Sequence, residues 1–309
     1  NINLIDVNCP ICKNKKKVVL KEATYKPDIT KEELLSYYKS SSDTQLRESV
    51  VKCTSCQTIF LSSRPKDEII MQSYSNAEDN TFIRQNKFRI RTFQDNLKKI
   101  SKKFWKINDR SPKSILDVGC AGGAFPKAAD NLGFNVVGIE PSKYLANWAR
   151  ENYGIDIRQG VLSDHQFDDN TFDIVSMWDV IEHLSDPVSE LELMRKILKK
   201  DGILVVNFPD ISTFPCKIMG WKWPFFLSVH LIYFTKKTLT NFLKNSGYKV
   251  ISITPYWQSL SLRYVLLRAS KIYGFFKIFV KIVDLLGIGD LPFSYYIGQT
   301  QVLAQKIKI

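Results

Sequence analysis

Four cysteines fall in two Cys-x-x-Cys pairs, Cys9 with Cys12 and Cys53 with Cys56. Each such turn aims two sulfurs at one point. Two turns complete a closed tetrahedral thiolate site of the kind that holds a structural zinc ion. Redox chemistry is the competing reading, but it asks for a strand before the motif and a helix opening on it, and a second copy is unusual there. The other two cysteines, Cys120 and Cys216, are isolated. A chain of 309 residues can bury a sizeable core without disulfides, so the pattern suits a bound metal in a reducing cytoplasm.

A second constellation begins at Ser114. The string Ser-Ile-Leu-Asp-Val-Gly-Cys-Ala-Gly-Gly runs from a short apolar strand through Asp117 into a turn of small residues, Gly119, Cys120, Ala121 and Gly123. Small residues let backbone approach a ligand at the end of a strand. A second apolar run, Asn135 to Ile139, ends on Glu140. An acid about 20 residues after a glycine turn can accept both hydroxyls of a ribose. Turn, strand and acid in register predict a nucleoside cofactor. The turn is not GxGxxG, and NAD stays open as an alternative.

The chain has only three histidines, His165, His183 and His230. An imidazole can take a proton near neutral pH, so His183 and His230 are the candidate acid–base residues. His230 follows the aromatic string Trp221-Lys222-Trp223-Pro224-Phe225-Phe226 and precedes a helix start at Thr235. It is expected to reach a cleft from its rim as general base, with His183 shaping the acceptor pocket. Packing of His230 against Tyr233 and Phe234 is the other reading. Asp179, Glu182 and His183 stand at i, i+3 and i+4, and share a face if that stretch is helical. They then make either a polar substrate wall or a site for a divalent ion. Trp221 and Trp223 either stack on a sugar ring or anchor a lid.

These residues need positioning elements. A helix is expected over 31–38 behind Thr30 as N-cap, another from Ala124 to Leu132, and a third opened by Pro141 and Ser142. The segment 170–178 reads as a buried strand, followed by a helix to Lys199. Asp201-Gly202 then turns into a strand over 203–208. The tail from Tyr296 to Lys306 reads as a returning strand, antiparallel at a sheet edge.

Together the glycine turn, Glu140 and the string Asp179-Val180-Ile181-Glu182-His183-Leu184-Ser185-Asp186-Pro187 resemble class I S-adenosylmethionine-dependent methyltransferases. The last string is similar to that of a small-molecule group that includes sugar methyltransferases and ubiquinone-pathway O-methyltransferases. The cysteine pairs and the string His230-Leu231-Ile232-Tyr233-Phe234-Thr235 fit a subgroup linked to surface-sugar and natural-product pathways. The resemblance covers about residues 9–254. It implies an α/β fold, a Rossmann-like sheet with helices on both faces, preceded by a small N-terminal zinc-ribbon module. It implies S-adenosylmethionine as cofactor beside structural zinc. Asp117 and Gly119 then lie by the cofactor's amino-acid part, and Val161 and Leu162 flank the adenine. Trp178 and Asp179 wall the sulfonium, although core packing explains Trp178 equally well. Ala121 departs from the glycine most often seen at its place.

The expected organisation is a zinc-binding module over 1–62, a helical connector over 63–111 and a methyltransferase domain over 112–309. A basic amphipathic insertion occupies about 256–294. Its 260–286 stretch suits an anionic membrane, or a cover for the core or for a second subunit. The formal net charge of +13 suits phosphate-bearing partners, anionic lipid or nucleic acid. The expected acceptor is a small molecule, a sugar or sugar-linked intermediate such as a nucleotide sugar or lipid-linked glycan. An rRNA or tRNA methyltransferase that binds RNA through the zinc module is the rival. Against nucleic acid, the position after the fourth strand reads Trp178-Asp179-Val180-Ile181 instead of a polar-Pro-Pro-aromatic string. A non-catalytic cofactor-binding module is the third reading. With no signal peptide and no apolar run of about 18 residues, a cytoplasmic protein is expected, touching at most the inner face of a membrane.

Overall fold

A computed structural model describes residues 4–25, 29–38, 46–75, 80–105 and 113–307. Residues 106–112 of the expected connector lie outside the described residues. The longer strands used below are β1 (Lys17–Lys21), β2 (Ser49–Cys53), β3 (Ile59–Ser62), β4 (Ser114–Val118), β5 (Asn135–Glu140), β6 (Asp156–Gln159), β7 (Phe172–Trp178), β8 (Leu198–Pro209), β9 (Tyr248–Pro255) and β10 (Gln299–Lys306). The helices used below are α1 (Lys31–Tyr37), α2 (Asp67–Ser75), α3 (Asn86–Phe104), α4 (Ala124–Asp130), α5 (Lys143–Tyr153), α6 (Pro187–Ile197), α7 (Lys236–Asn245), α8 (Leu262–Ile272) and α9 (Phe276–Leu285).

Seven strands form one sheet in the order β9-β10-β8-β7-β4-β5-β6. Strands β4 to β8 run parallel, and β10 is antiparallel to both of its neighbours. Parallel strands are covered on both faces and so read as continuous apolar runs, as β4 and β7 do. From β4 the chain steps to β5 and β6 on one side. It then returns to lay β7 and β8 on the other. Crevices open at the C-terminal ends of strands where the order reverses in this way. The returning strand is antiparallel as expected, but it is not an edge strand. It inserts between β8 and β9, because β9 supplies a further partner for its outer side. Strand β8 also starts earlier than expected, at Leu198, with an irregularity across Asp201-Gly202.

Packing joins the parts. On one face of the sheet, Phe93, Leu97 and Ile100 of α3 bury Ile115, Ile174 and Val205. On the other face, Leu191 and Met194 of α6 and Leu239 and Leu243 of α7 bury Leu116, Val175 and Leu204. That second core continues into the N-terminal segment through Val51 and Phe60. There β1, β2 and β3 form an antiparallel sheet whose fourth strand is Ile232–Tyr233. The module therefore shares backbone hydrogen bonds and apolar core with the chain that carries His230. Helix α1 begins on Thr30, whose hydroxyl accepts from Glu33 N at 3.2 Å while Glu33 caps it in return. Among the described residues, no helix is long and apolar enough to cross a membrane.

Candidate cofactor cleft and acid–base cluster

The glycine turn leaves β4 at the switch point. Gly119 has φ +72°, and a Cβ there would stand 2.5 Å from Val180 Cγ2. Only glycine suits that position. Gly123 starts α4 at φ +72°, and its missing Cβ admits the methyl of Ala149 from α5. Ala121 takes φ +46°, a left-handed conformation that alanine adopts at some cost. Its N–H is held by Glu140, which reaches across from β5 to accept at 2.8 Å. The other oxygen of Glu140 accepts from Ser142 N at 2.8 Å. Burial pushes the Glu140 carboxyl up to about 7, against the pull of these two N–H groups. Asp117 is also buried and accepts from Ser176 Oγ at 2.7 Å; burial moves its pKa well up.

A cleft opens beside this turn. Asp117, Gly119, Cys120, Ala121, Trp178 and Asp179 line it, as do Arg89 and Phe93 of α3, Asn207 of β8, Tyr256 and Gln258. Trp178 packs against Phe93, Phe125 and Tyr256 at ring-centroid distances of 4.8, 5.1 and 5.4 Å. It is thus core and wall at once. Its Nε1, and Oδ1 of Asn207, are buried without a hydrogen-bond partner among the described residues. Buried polar atoms are rarely left in that state, so the wall is suited to a polar ligand. Gly123, Glu140, Val161 and Leu162 are not among the lining residues, and Glu140 reaches the lining through Ala121 N. Leu162 is in the core under a single helical turn, and Val161 N is held by Asp164 at 2.9 Å.

The expected grouping of Asp179 with Glu182 and His183 is corrected. The stretch is no α-helix: Asp179 sits at φ +56° and only 181–183 make one 3-10 turn. The Asp179 carboxylate is turned to Asn207 Nδ2 at 2.8 Å and Gln299 Nε2 at 2.7 Å. Burial raises its pKa to about 6, with Gln299, Arg89 and Asn207 pulling the other way. Instead, Glu182 and His183 meet His230, one ligand-type atom of each lying within 4.8 Å of the others. The two imidazoles are 4.7 Å apart, edge to face.

His230 does not reach in from a rim. It is 5% exposed, lies against the rings of Phe225 and Tyr233, and is absent from the cleft lining. Its Nδ1 is 2.8 Å from Phe225 O. A carbonyl only accepts, so Nδ1 carries the hydrogen and Nε2 keeps a free lone pair. His183 Nδ1 is 2.8 Å from Val229 O and also meets the Tyr74 hydroxyl. Burial pushes His183 down to about 4 and His230 well below its ordinary value, so both are neutral bases. Glu182 is buried, and neither of its oxygens has a hydrogen-bond partner among the described residues. Burial first, and the Asp179 charge second, push its pKa well up, which favours the protonated acid. The cluster therefore sets a carboxyl that favours its protonated form close to two neutral imidazoles.

The tryptophans of the aromatic string divide. Trp223 is 2% exposed and donates from Nε1 to Ile297 O at 2.7 Å, as an anchor does, whereas Trp221 is 51% exposed. His165 is on an exposed turn, against Gln159 O. At the N-terminal module, Cys9 and Cys56 sulfurs are 3.5 Å apart, as are those of Cys12 and Cys53. All four sulfurs fit within 4.8 Å of one another. A tetrahedral site with metal–sulfur bonds of about 2.3 Å sets its sulfurs about 3.8 Å apart, so the thiols are arranged to fit such an ion.

Sequence reasoning missed Tyr74, Arg89, Asn207, Gln299 and Tyr256. Tyr74 is in α2, where polar residues on either side give no motif. Gln299 comes from the strand expected at the edge, and only its place beside β8 brings it to Asp179.

Known proteins bear on the same residues. A family profile described as a methyltransferase domain matches residues 85–253. A ubiquinone biosynthesis O-methyltransferase of Actinobacillus pleuropneumoniae serotype 5b is 34% identical over 109 residues, covering 32% of this chain and 47% of that protein. An uncharacterized methyltransferase of Schizosaccharomyces pombe is 30% identical over 165 residues, 48% of this chain and 55% of that protein. The chain thus spans about half the length of these relatives. A solved structure of a SAM-dependent methyltransferase from Archaeoglobus fulgidus aligns with TM-score 0.49 and 16% identity, covering 74% of this chain and 100% of that one.

Proposed function

We propose that this chain, which belongs to the methyltransferase-domain family, transfers the methyl group of S-adenosylmethionine to a small-molecule acceptor, a sugar or sugar-linked intermediate. One observation carries the reading. At the switch point of the sheet, Glu140 is tied to the backbone of the glycine turn through Ala121 N. A carboxylate offers about four lone-pair sites. Two are used by Ala121 and Ser142, which leaves two for the hydroxyls of a ribose.

The cofactor, when bound, supplies a methyl group on a positively charged sulfur that is already a good leaving group. The chain's task is then alignment and proton management. Glu140 holds the ribose hydroxyls. Asp117 and the turn at Gly119 to Gly123 hold the amino-acid end, and Leu162 with Val161 closes on the base. Trp178 and Asp179 form the wall beside the transferred group. His230 Nε2 is assigned as the base for the acceptor's proton, a role that requires the acceptor to reach the buried cluster from the cleft, and His183, held by Val229 O and Tyr74, would shape the pocket around it. Relatives named for ubiquinone biosynthesis support a small-molecule acceptor. Exposed Trp221 supports a ring that needs a stacking surface.

Cys9, Cys12, Cys53 and Cys56 are assigned to one structural zinc ion. All four positions around the ion are then filled, so it takes no part in the transfer. Free thiols at these positions also suit a reducing cytoplasm. The test is label transfer from methyl-labelled S-adenosylmethionine to a panel of nucleotide sugars and lipid-linked sugars, with bulk RNA in parallel. Label in a sugar supports the reading. Label in RNA alone overturns the acceptor class, and failure to bind the cofactor overturns the whole assignment.

A further inference from the structure

Helix α9 carries an apolar face that nothing among the described residues covers. Phe275, Ile278, Phe279, Ile282, Leu285 and Leu286 are 45–86% exposed. At 100° per residue they fall within roughly 120° of one another on the helix wheel, so they form one stripe. The opposite requirement is already met: Val280 and Val283 are buried and turned another way, while α8 and α9 pack together as a pair. The stripe is therefore surplus to folding. Exposed side chains of this size are ordinary when scattered and informative when contiguous.

Charge says what covers it. Over 262–286 the chain carries Arg263, Arg268, Lys271, Lys277 and Lys281 against the single acid Asp284. Asp284 is engaged by Arg263, from Nε at 2.6 Å. Lys277 and Lys281 are exposed, one turn apart on α9, and Lys281 borders the stripe. A second copy of the chain in a two-fold interface would set this patch against itself, with like charges meeting. A surface of anionic lipid offers both what the stripe lacks and what the lysines attract.

We propose that α9 docks flat on an anionic lipid bilayer, with its stripe in the acyl boundary and its lysines among the headgroups. The proposal stands apart from the methyl-transfer reading. The two are nevertheless linked in the chain: Tyr256 and Gln258 line the cleft, and the strand Gln258–Ser261 runs directly into α8. A docked α9 is therefore joined to the cleft through α8, which begins four residues after Gln258 and packs against α9.

The test uses the full zinc-loaded chain and vesicles of phosphatidylglycerol with phosphatidylcholine, against phosphatidylcholine alone, in a sedimentation assay. The expected result is binding to the anionic vesicles, release by salt, and little binding to the neutral ones. Ile282→Asp and the pair Lys277→Glu with Lys281→Glu change only exposed positions. Each should lower partition by about tenfold or more with circular dichroism unchanged. No binding of the parent chain, equal binding to both vesicle types, or variants that bind as the parent does would each overturn the proposal. So would light scattering that shows a dimer which Ile282→Asp converts to monomer, since the stripe would then belong to a second copy.

Discussion

The cofactor cleft and the histidine cluster lie near each other at the same end of the sheet, yet they are built in opposite ways. The glycine turn and the two acids that flank it come from contiguous chain: Asp117, Gly119, Ala121 and Glu140 all fall between the start of β4 and the end of β5, and hydrogen bonds from Gly119 N to Ile139 O and from Ala121 N to Glu140 join them, while Trp178, Asp179 and Asn207 bring the facing wall from elsewhere. The cluster draws Tyr74 from α2, Glu182 and His183 from the turn after β7, and His230 from the segment that also completes the N-terminal sheet. The cleft's turn is held by local geometry. The cluster is held by tertiary packing, and that packing runs through the core shared with the N-terminal cysteine module. The difference implies that the cleft tolerates loss of the module and the cluster does not.

The largest effect should come from the metal. Structural zinc contributes on the order of 10 kcal/mol to the folding of small modules at neutral pH. Cys53→Ser, or chelation, is expected to release one zinc per chain and to expose the amides of β2 and β3 to hydrogen exchange. Transfer activity should fall with it, because Ile232–Tyr233 pairs with β3 just after His230, while cofactor affinity changes little. Metal analysis finding no zinc in freshly purified, reduced protein would end this account of the module. Equal loss of cofactor affinity would break the contrast between the two regions.

The next effect is on turnover. His230→Ala should lower kcat by roughly two orders of magnitude with cofactor affinity retained. His183→Ala should cost less. If His230→Ala turns over normally and His183→Ala is inactive, the two roles are exchanged. The pH dependence sharpens the point. Burial holds His183 at about 4 and His230 well below its ordinary value, so both stay unprotonated through neutrality. At saturating cofactor, kcat should therefore hold steady as pH falls past about 6.5, the value at which an exposed histidine would charge. A loss of kcat centred there would mean that the base is solvated.

The contrast also explains what was legible in the sequence. The cleft's parts were readable because small residues, an apolar strand and a strand-end acid recur at short fixed intervals. The meeting of the four cysteines was readable for the same reason, since each pair is its own turn. The cluster was only half readable. Sequence spacing grouped His183 with Asp179, but a left-handed backbone at Asp179 turns its carboxylate to β8 and β10 instead. Tyr74 carried no signal at all, because only α2 packing near the turn after β7 gives it a partner. The placement of β10 was missed because the tail's pattern says that it is a strand but not which strands flank it.

The central claim is that Glu140 binds the cofactor's ribose, and calorimetry of S-adenosylhomocysteine with the parent chain and Glu140→Ala tests it most directly. The carboxylate that accepts hydroxyls must be ionised, and burial places its pKa at about 7. Affinity of the parent should therefore rise as pH increases through about 7, where the charged form takes over. A charge-assisted hydrogen bond contributes roughly 1.5–3 kcal/mol, so Glu140→Ala should bind about tenfold or more weakly above that pH and lose the pH step. A folded Glu140→Ala variant with the parent's affinity and the parent's pH profile would contradict the account and move the ribose elsewhere.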